Sequence, residues 1–351
     1  MYKYLSTLAR NVTPYVPGEQ PGNREFIKLN TNENPYPPSP EVIRAIKGAA
    51  DESLRLYPDP ECEELREVIA GYYGLSREEV FVGNGSDELL AFSFQAFFDP
   101  GRPILFPDIT YTFYQVYSSL FRIDYELVPL NNDLSIPVEG FFRENGGVIF
   151  PNPNAPTGRY LETELIAEVL EYNPDVVVII DEAYIDFGGK SVAGLIKDYP
   201  NLLVIQTFSK SRSLAGLRVG FAMGQQGLIE GLNRIKNSIN SYTLDRLAIA
   251  GAIAAIKDEE YFQETRRKII NTRERVSSEL TGLGFEVIPS KTNFIFITHP
   301  EHRADKLFSL LREKGILVRY FNQPRITNFL RVSIGSEKEM DHFLERLQEI
   351  L

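Results

Sequence analysis

Cysteine is almost absent. Cys62 is the only one in 351 residues, so no internal disulfide can form, and its charged, helix-like surroundings read as those of a structural thiol. Histidine is scarce as well, with three in the chain. His299 and His302 are separated by Pro300 and, Glu301 apart, have no ligand pattern around them, so a surface turn fits better than a metal site. Positive charge is in deficit: 37 Lys and Arg against 48 Asp and Glu leave a net charge of −11. That balance excludes broad electrostatic binding to nucleic acid or an anionic membrane, and any anionic ligand must be held by a local cluster. The opening Met1 to Arg10 lacks the apolar core of a secretory signal, and no run is long enough to cross a bilayer, so a cytoplasmic protein is expected. Internal repeats and low-complexity tracts are missing too.

What is present suits a globular α/β protein. Hydrophobic residues make up 43% and charged residues 24%, and the length favours one large packed domain plus a smaller one. From Glu41 to Leu244 short apolar runs alternate with amphipathic helical segments, the pattern of crossover units that build a mostly parallel sheet. The strand candidates are Val80 to Val82, Ile104 to Phe106, Val148 to Phe150, Val176 to Ile180, Leu203 to Ile205 and Val219 to Ala222. Val176 to Ile180 has no polar alternation, as expected of a central strand covered on both faces. A continuous helical stretch is expected from about Asp245 to Leu280. Beyond Gly284 the order becomes strand (293–297), helix (304–314), strand (317–320), strand (330–334) and helix. The division expected is therefore a large domain over 41–245, with 1–40 as an extended, proline-rich arm and 246–351 as a small α/β domain.

Ligands of open α/β sheets gather at the carboxyl ends of strands, and two neighbouring strand ends carry chemistry here. The first delivers Asp181-Glu182-Ala183-Tyr184; alone, Asp181 could equally cap the next helix. The second ends in the polar loop from Gln206 to Arg218, with Thr207, Ser209, Lys210 and Arg218. A lysine forms imines with aldehydes once deprotonated, and burial favours that state. Hydroxyls and a forked guanidinium are what a phosphate needs. A third segment, Gly83-Asn84-Gly85-Ser86-Asp87, joins a strand to a helix start and offers backbone N–H groups to an anion, although Ser86 and Asp87 also serve as plain helix caps. It lacks the third glycine of a dinucleotide fingerprint and the Gly-Lys of a P-loop, which counts against nicotinamide and ATP.

Gly85-Ser86-Asp87, Tyr111, Pro156-Thr157-Gly158, Asp181-Glu182-Ala183-Tyr184 and Ser209-Lys210, in this order, resemble the fold-type I aminotransferases over essentially the whole chain. Within that superfamily, Thr13-Pro14-Tyr15, the run Leu29 to Pro35, Tyr57-Pro58-Asp59 and the run Leu330 to Gly335 are similar to the histidinol-phosphate aminotransferase branch. The resemblance implies a large domain with a mostly parallel, seven-stranded sheet covered by helices, plus a smaller α/β domain. It further implies pyridoxal 5′-phosphate held as a Schiff base on Lys210, which also acts as the base. Asp181 would keep the pyridine nitrogen protonated, Tyr184 would donate to the phenolic oxygen and Tyr111 would stack on the ring. Gly85, Ser86, Asp87, Thr207, Ser209 and Arg218 would surround the phosphate, with Tyr57 contributed by the other subunit of a homodimer with shared sites. Tyr15, Asn32, Arg319 and Arg331 would meet the substrates, histidinol phosphate and glutamate or 2-oxoglutarate, although Arg319 also reads as a strand-end surface arginine.

One departure stands out: where many relatives have asparagine immediately before Pro-Thr-Gly, this chain has Ala155. Either Asn154 reaches the ring oxygen through an altered loop or Tyr184 serves alone. An aromatic aminotransferase, an amino-acid-phosphate decarboxylase using the same cofactor, and a non-catalytic sensor are the competing readings. The sensor is disfavoured because no basic recognition module is evident. Borohydride reduction of the purified protein should bleach its visible band and leave the label on Lys210 alone; a label on Lys190 or Lys291, or none, overturns the assignment.

Overall fold

Six runs of β-branched and aromatic residues, and a seventh that is half polar, assemble into one sheet. The computed structural model describes residues 3–21 and 26–351; residues 1–2 and 22–25, parts of the expected arm, lie outside the described residues. The strands are β1 (Val80–Gly83), β2 (Ile104–Pro107), β3 (Tyr125–Val128), β4 (Val148–Pro151), β5 (Val178–Asp181), β6 (Leu202–Thr207) and β7 (Gly220–Met223). Their spatial order is β1-β7-β6-β5-β4-β2-β3. The run from β6 to β3 pairs in parallel, whereas β7 is antiparallel to both β1 and β6. All residues of these strands except β3 are buried, because helices cover both faces. Alternate residues feed different cores: Val178 and Ile180 join one hydrophobic cluster and Ile179 the other, as the two-residue period of a strand requires. The edge strand β3 is exposed at three of its four positions, which is why its apolar signal is weak.

The expected continuous helix is two. Asp258 stands between α2 (Arg246–Lys257) and α3 (Glu259–Gly282): its N–H closes the first on the Ala254 carbonyl, and its side chain caps the second at Tyr261. Packing changes hands there. Ala252 and Ile256 of α2 belong to the core of the large sheet, whereas Ile269, Val276 and Leu280 of α3 belong to the core of a second unit. That unit is built on a four-stranded antiparallel sheet of β8 (Glu286–Ile288), β9 (Phe294–Thr298), β10 (Arg319–Tyr320) and β11 (Phe329–Ser333), in order β10-β11-β9-β8. The strand expected over 317–320 is likewise divided. Ile316–Leu317 pairs in parallel with Ile27–Lys28, while Arg319–Tyr320 pairs with β11.

Two arginines of α3 fasten this unit to the segment that follows β5. Arg266 donates to the Asp186 carbonyl, and the buried Arg273 donates to the carbonyls of Phe187 and Thr292 at 2.8 Å each. A fixed guanidinium fork suits such carbonyl bridging. The second sheet thereby faces the carboxyl ends of β4, β5 and β6. Among the described residues, no helix is long and apolar enough to cross a membrane.

Candidate active site

With both faces of the sheet covered, polar chemistry is confined to the strand ends, and a cavity of about 220 Å³ lies there, between the large sheet and the second unit. Asp181, at the end of β5, is 4% exposed. Its carboxylate accepts from the Tyr114 hydroxyl at 3.0 Å and from the Ala183 N–H at 3.1 Å. These two bonds do not offset desolvation, and burial pushes its pKa up to about 6. A buried carboxylate in that condition favours a cationic or proton-bearing partner within the cavity. Glu182 next to it points into the core, bonded by Ser191, the Val192 N–H and Gln206; burial pushes it up to about 7.

The next strand end brings the hydroxyls and the amine. Thr207 and Ser209 bond each other at 3.0 Å, and Lys210 extends from the same turn to donate from Nζ to the Thr31 carbonyl at 3.2 Å. Asn34 holds that turn by donating to the carbonyls of Lys210 and Ser211. Opposite lies the start of α1 (Gly85–Phe97). Gly85 has φ +77°, and a Cβ there would sit 2.5 Å from Arg218 Nη2. A Cβ on Gly220 would meet Gly85 C and Ser86 N at 2.6 Å. Gly85 is therefore required by its left-handed backbone and Gly220 by close approach of the helix start. Arg218, itself left-handed at φ +56°, pairs with Asp87 at 3.2 Å, and Asp87 accepts from Tyr111 at 2.8 Å. A helix start, two hydroxyls and this guanidinium together make an anion cradle.

The second unit supplies two more cations. Arg319 and Arg331 are cross-strand neighbours on β10 and β11, and both line the cavity. Arg331 is half-buried and has no acidic partner among the described residues: Nη2 donates to the Asn30 carbonyl at 3.0 Å, and the buried Nε has no partner among them. Desolvation lowers its pKa. A guanidinium so placed calls for an anionic ligand. Tyr15 stacks on Phe113 at 4.4 Å between ring centres, and Asn32 donates to the Tyr184 hydroxyl at 2.9 Å.

Of the residues singled out from sequence, Tyr15, Asn32, Ser86, Asp87, Tyr111, Asp181, Tyr184, Thr207, Ser209, Lys210, Arg218, Arg319 and Arg331 line this one cavity. Gly85 lies behind it. Asn154 is fully buried, with its amide donating to the Ile109 carbonyl and Thr157 and its oxygen accepting from Thr110; Ala155 lines the wall instead. Tyr57 is 76% exposed and stacks on Tyr242, away from the cavity of its own chain. Sequence reasoning missed Tyr114, which lies one helical turn beyond Tyr111, and Asn30 and Thr31, whose main-chain contacts have no signature in residue type. Cys62 is buried and its thiol is pushed up to about 11.

The model of the class I and II aminotransferase family matches residues 24–347. Histidinol-phosphate aminotransferase of Clostridium acetobutylicum is 62% identical over 351 residues and covers both chains completely. The protein of that name from Clostridium botulinum strain Langeland is 59% identical, over all of this chain and 99% of its own. Among solved structures, histidinol-phosphate aminotransferase from Sinorhizobium meliloti in complex with pyridoxal-5′-phosphate superposes with a TM-score of 0.90 at 25% identity, covering 100% of this chain and 99% of that one.

Burial of Asp181 and Glu182 sets a pH dependence. Both hold their protons to higher pH when folded than when unfolded, so the stability these two groups contribute is fully present at low pH and is lost as pH rises through about 6 and about 7. Without ligand, the Asp181 part is on the order of 2–3 kcal/mol over its whole window, with on the order of 1 kcal/mol of it lost above pH 5. Urea unfolding at pH 5 and pH 8 should show wild-type protein losing more stability across that range than Asp181→Asn, which keeps only the Glu182 part. Equal losses would show that the Asp181 carboxyl is not desolvated.

Proposed function

The chain belongs to the class I and II aminotransferases, and on that premise we propose that it moves an amino group between L-histidinol phosphate and 2-oxoglutarate, the step of histidine biosynthesis for which its relatives are named. The observation that carries the reading is a single cavity with two chemically distinct ends. One end has a buried aspartate and a lysine at the ends of adjacent strands; the other has two arginines with no acidic partner among the described residues. Aminotransfer with these substrates calls for an amine-bearing site and for a place that accepts a phosphate and a carboxylate in turn.

Pyridoxal phosphate fits the first end. Its phosphate matches the cradle of the α1 start, Ser86, Thr207, Ser209 and Arg218, and its ring nitrogen, protonated, answers the desolvated Asp181. When bound, the cofactor supplies an electron-accepting ring. The protein does the rest. Asp181 would hold a proton on the ring nitrogen, Tyr111 would pack against the ring and Lys210 would be the residue that holds the aldehyde. Lys210 Nζ would also be the group that moves a proton at the substrate α-carbon. With both amide hydrogens of Asn154 committed elsewhere, the contact to the ring oxygen falls to Tyr184, whose hydroxyl is oriented by Asn32.

The working unit in this reading is a cytoplasmic homodimer. Tyr57 is exposed and stacks on the exposed Tyr242, and Leu54 and Leu56 just before it in the chain are exposed too, apolar surface of the kind that a partner covers. From there Tyr57 reaches the phosphate cradle of the other subunit. Mixing inactive Lys210→Ala with inactive Tyr57→Phe should restore partial activity through one intact hybrid site. No recovery after verified subunit exchange would refute site sharing.

For the substrates, Arg319→Ala should weaken the histidinol-phosphate half-reaction more than the glutamate one, while Arg331→Ala should severely impair glutamate. Loss of a buried contact of this type costs about 2–5 kcal/mol. Single-turnover cofactor spectra for each substrate separate these effects from cofactor loss. Equal losses for Arg319→Ala would remove it from specificity. Wild-type protein that uses phenylalanine and ignores histidinol phosphate would refute the substrate reading.

A further inference from the structure

Three successive residues, Asn30-Thr31-Asn32, each hold a different part of the site. The Asn30 carbonyl accepts from Arg331 Nη2 at 3.0 Å, the Thr31 carbonyl from Lys210 Nζ at 3.2 Å, and Asn32 Nδ2 donates to the Tyr184 hydroxyl at 2.9 Å. The Asn30 side chain has no part in the proposed chemistry. It is 2% exposed and lines the cavity. Its Nδ2 donates to the Glu19 carbonyl at 2.8 Å, and its Oδ1 is buried without a partner. Arg331 Nε is also buried without a partner, so an unmatched acceptor and an unmatched donor sit on two residues already joined by one hydrogen bond. Native interiors rarely leave such groups unpaired unless a ligand or water completes them.

The segment that Asn30 holds is the cavity's outer wall. Gly18 is buried against the same strip: a Cβ there would meet Thr31 Cγ2 at 2.7 Å and Asn30 Nδ2 at 3.4 Å. The Val16 carbonyl accepts from Arg319 at 3.3 Å, and the Glu19 carboxylate is gripped by Arg312 at 2.8 and 3.0 Å. The segment from Tyr15 to Glu19 therefore touches both substrate-facing arginines, Arg319 directly and Arg331 through Asn30.

We propose that Asn30 is a positioning residue that couples docking of the Tyr15–Glu19 segment to the orientation of Arg331, so that the guanidinium is set for a substrate anion when the segment is in place. The identity of the anions rests on the aminotransferase reading; the coupling rests on the contacts above.

The test uses the holoenzyme and the glutamate half-reaction by single-turnover spectra, with inorganic phosphate as a second anion read by its effect on the unfolding temperature. In Asn30→Asp a carboxylate beside Arg331 competes for the guanidinium. The glutamate dissociation constant should rise about tenfold or more, with the limiting rate and the resting cofactor spectrum little changed and the stabilisation by phosphate lost. Arg312→Ala, which undoes the outer tie, should weaken glutamate binding in wild type and add nothing in Asn30→Ala, because the link it acts through is already cut. This cycle decides the matter if Asn30→Asp fails to fold. Unchanged dissociation constants, or strictly additive effects of Asn30→Ala and Arg312→Ala, overturn the proposal. Wild-type protein that ignores histidinol phosphate but still shows the coupling with glutamate would refute the substrate reading alone.

Discussion

Burial of β5 on both faces is the constraint on which the site depends. A strand with no exposed side can finish in a polar residue only where the covering helices end, and Asp181 stands at that point with two hydrogen bonds and the charge of Lys210, which together do not offset its burial. Desolvation there is an energetic demand for a particular kind of ligand, one that brings a proton or positive charge to the carboxylate. The rest of the cavity follows the same logic with the sign reversed. Arg331 is enclosed by Phe294 and Phe321 and has only a carbonyl to satisfy it. A protein with an overall excess of acid has thus set a desolvated carboxyl and an unpaired guanidinium Nε at opposite walls of one cavity, the latter unpaired among the described residues.

The two walls belong to different cores, so their spacing is set by the α3 arginines that fasten the second unit to the segment after Tyr184. These are bonds to main-chain carbonyls, which a change of side chain at the acceptor residue does not abolish. Such anchoring tolerates drift at Asp186, Phe187 and Thr292 while keeping β10 and β11 in place opposite the loop that carries Lys210. The Asn30-Thr31-Asn32 strip performs a similar service on the other side, again through main-chain atoms for two of its three contacts.

Much of this was legible in sequence where residue type carries the information. Unbroken apolar runs located the central strands, and Asp181, Lys210, Thr207, Ser209 and Arg218 stand out because a strand end rich in hydroxyls and charge has little structural reason to exist. The edge strand β3 escaped notice since its Tyr-Glu-Leu-Val pattern is that of a surface. The division of the long helix at Asp258 was hidden because an aspartate is tolerated mid-helix, and only the side-chain bond to the Tyr261 amide makes it a boundary. Roles carried by carbonyls, such as those of Asn30 and Thr31, were invisible for a deeper reason: every residue has a carbonyl, and only the fold decides which one meets an arginine. Asn154 illustrates the converse, a side chain of the right type whose donors the local loop had already engaged.

The contact between Gly85 and Gly220 bears on how this scaffold can change over generations. A methyl group on Gly220 would run into the backbone of Gly85 and Ser86, whereas one on Gly85 would meet the Arg218 guanidinium on a left-handed backbone, so the two positions are closed for different reasons. Substitution at Gly220 waits on movement of the helix start, and substitution at Gly85 on a change of its own backbone. Diversification of the enzyme is thereby channelled away from the floor of the anion cradle and toward the walls supplied by the second unit and the segment around Tyr15. Lineages built on this plan can alter what they aminate far more readily than how they hold the group that does it.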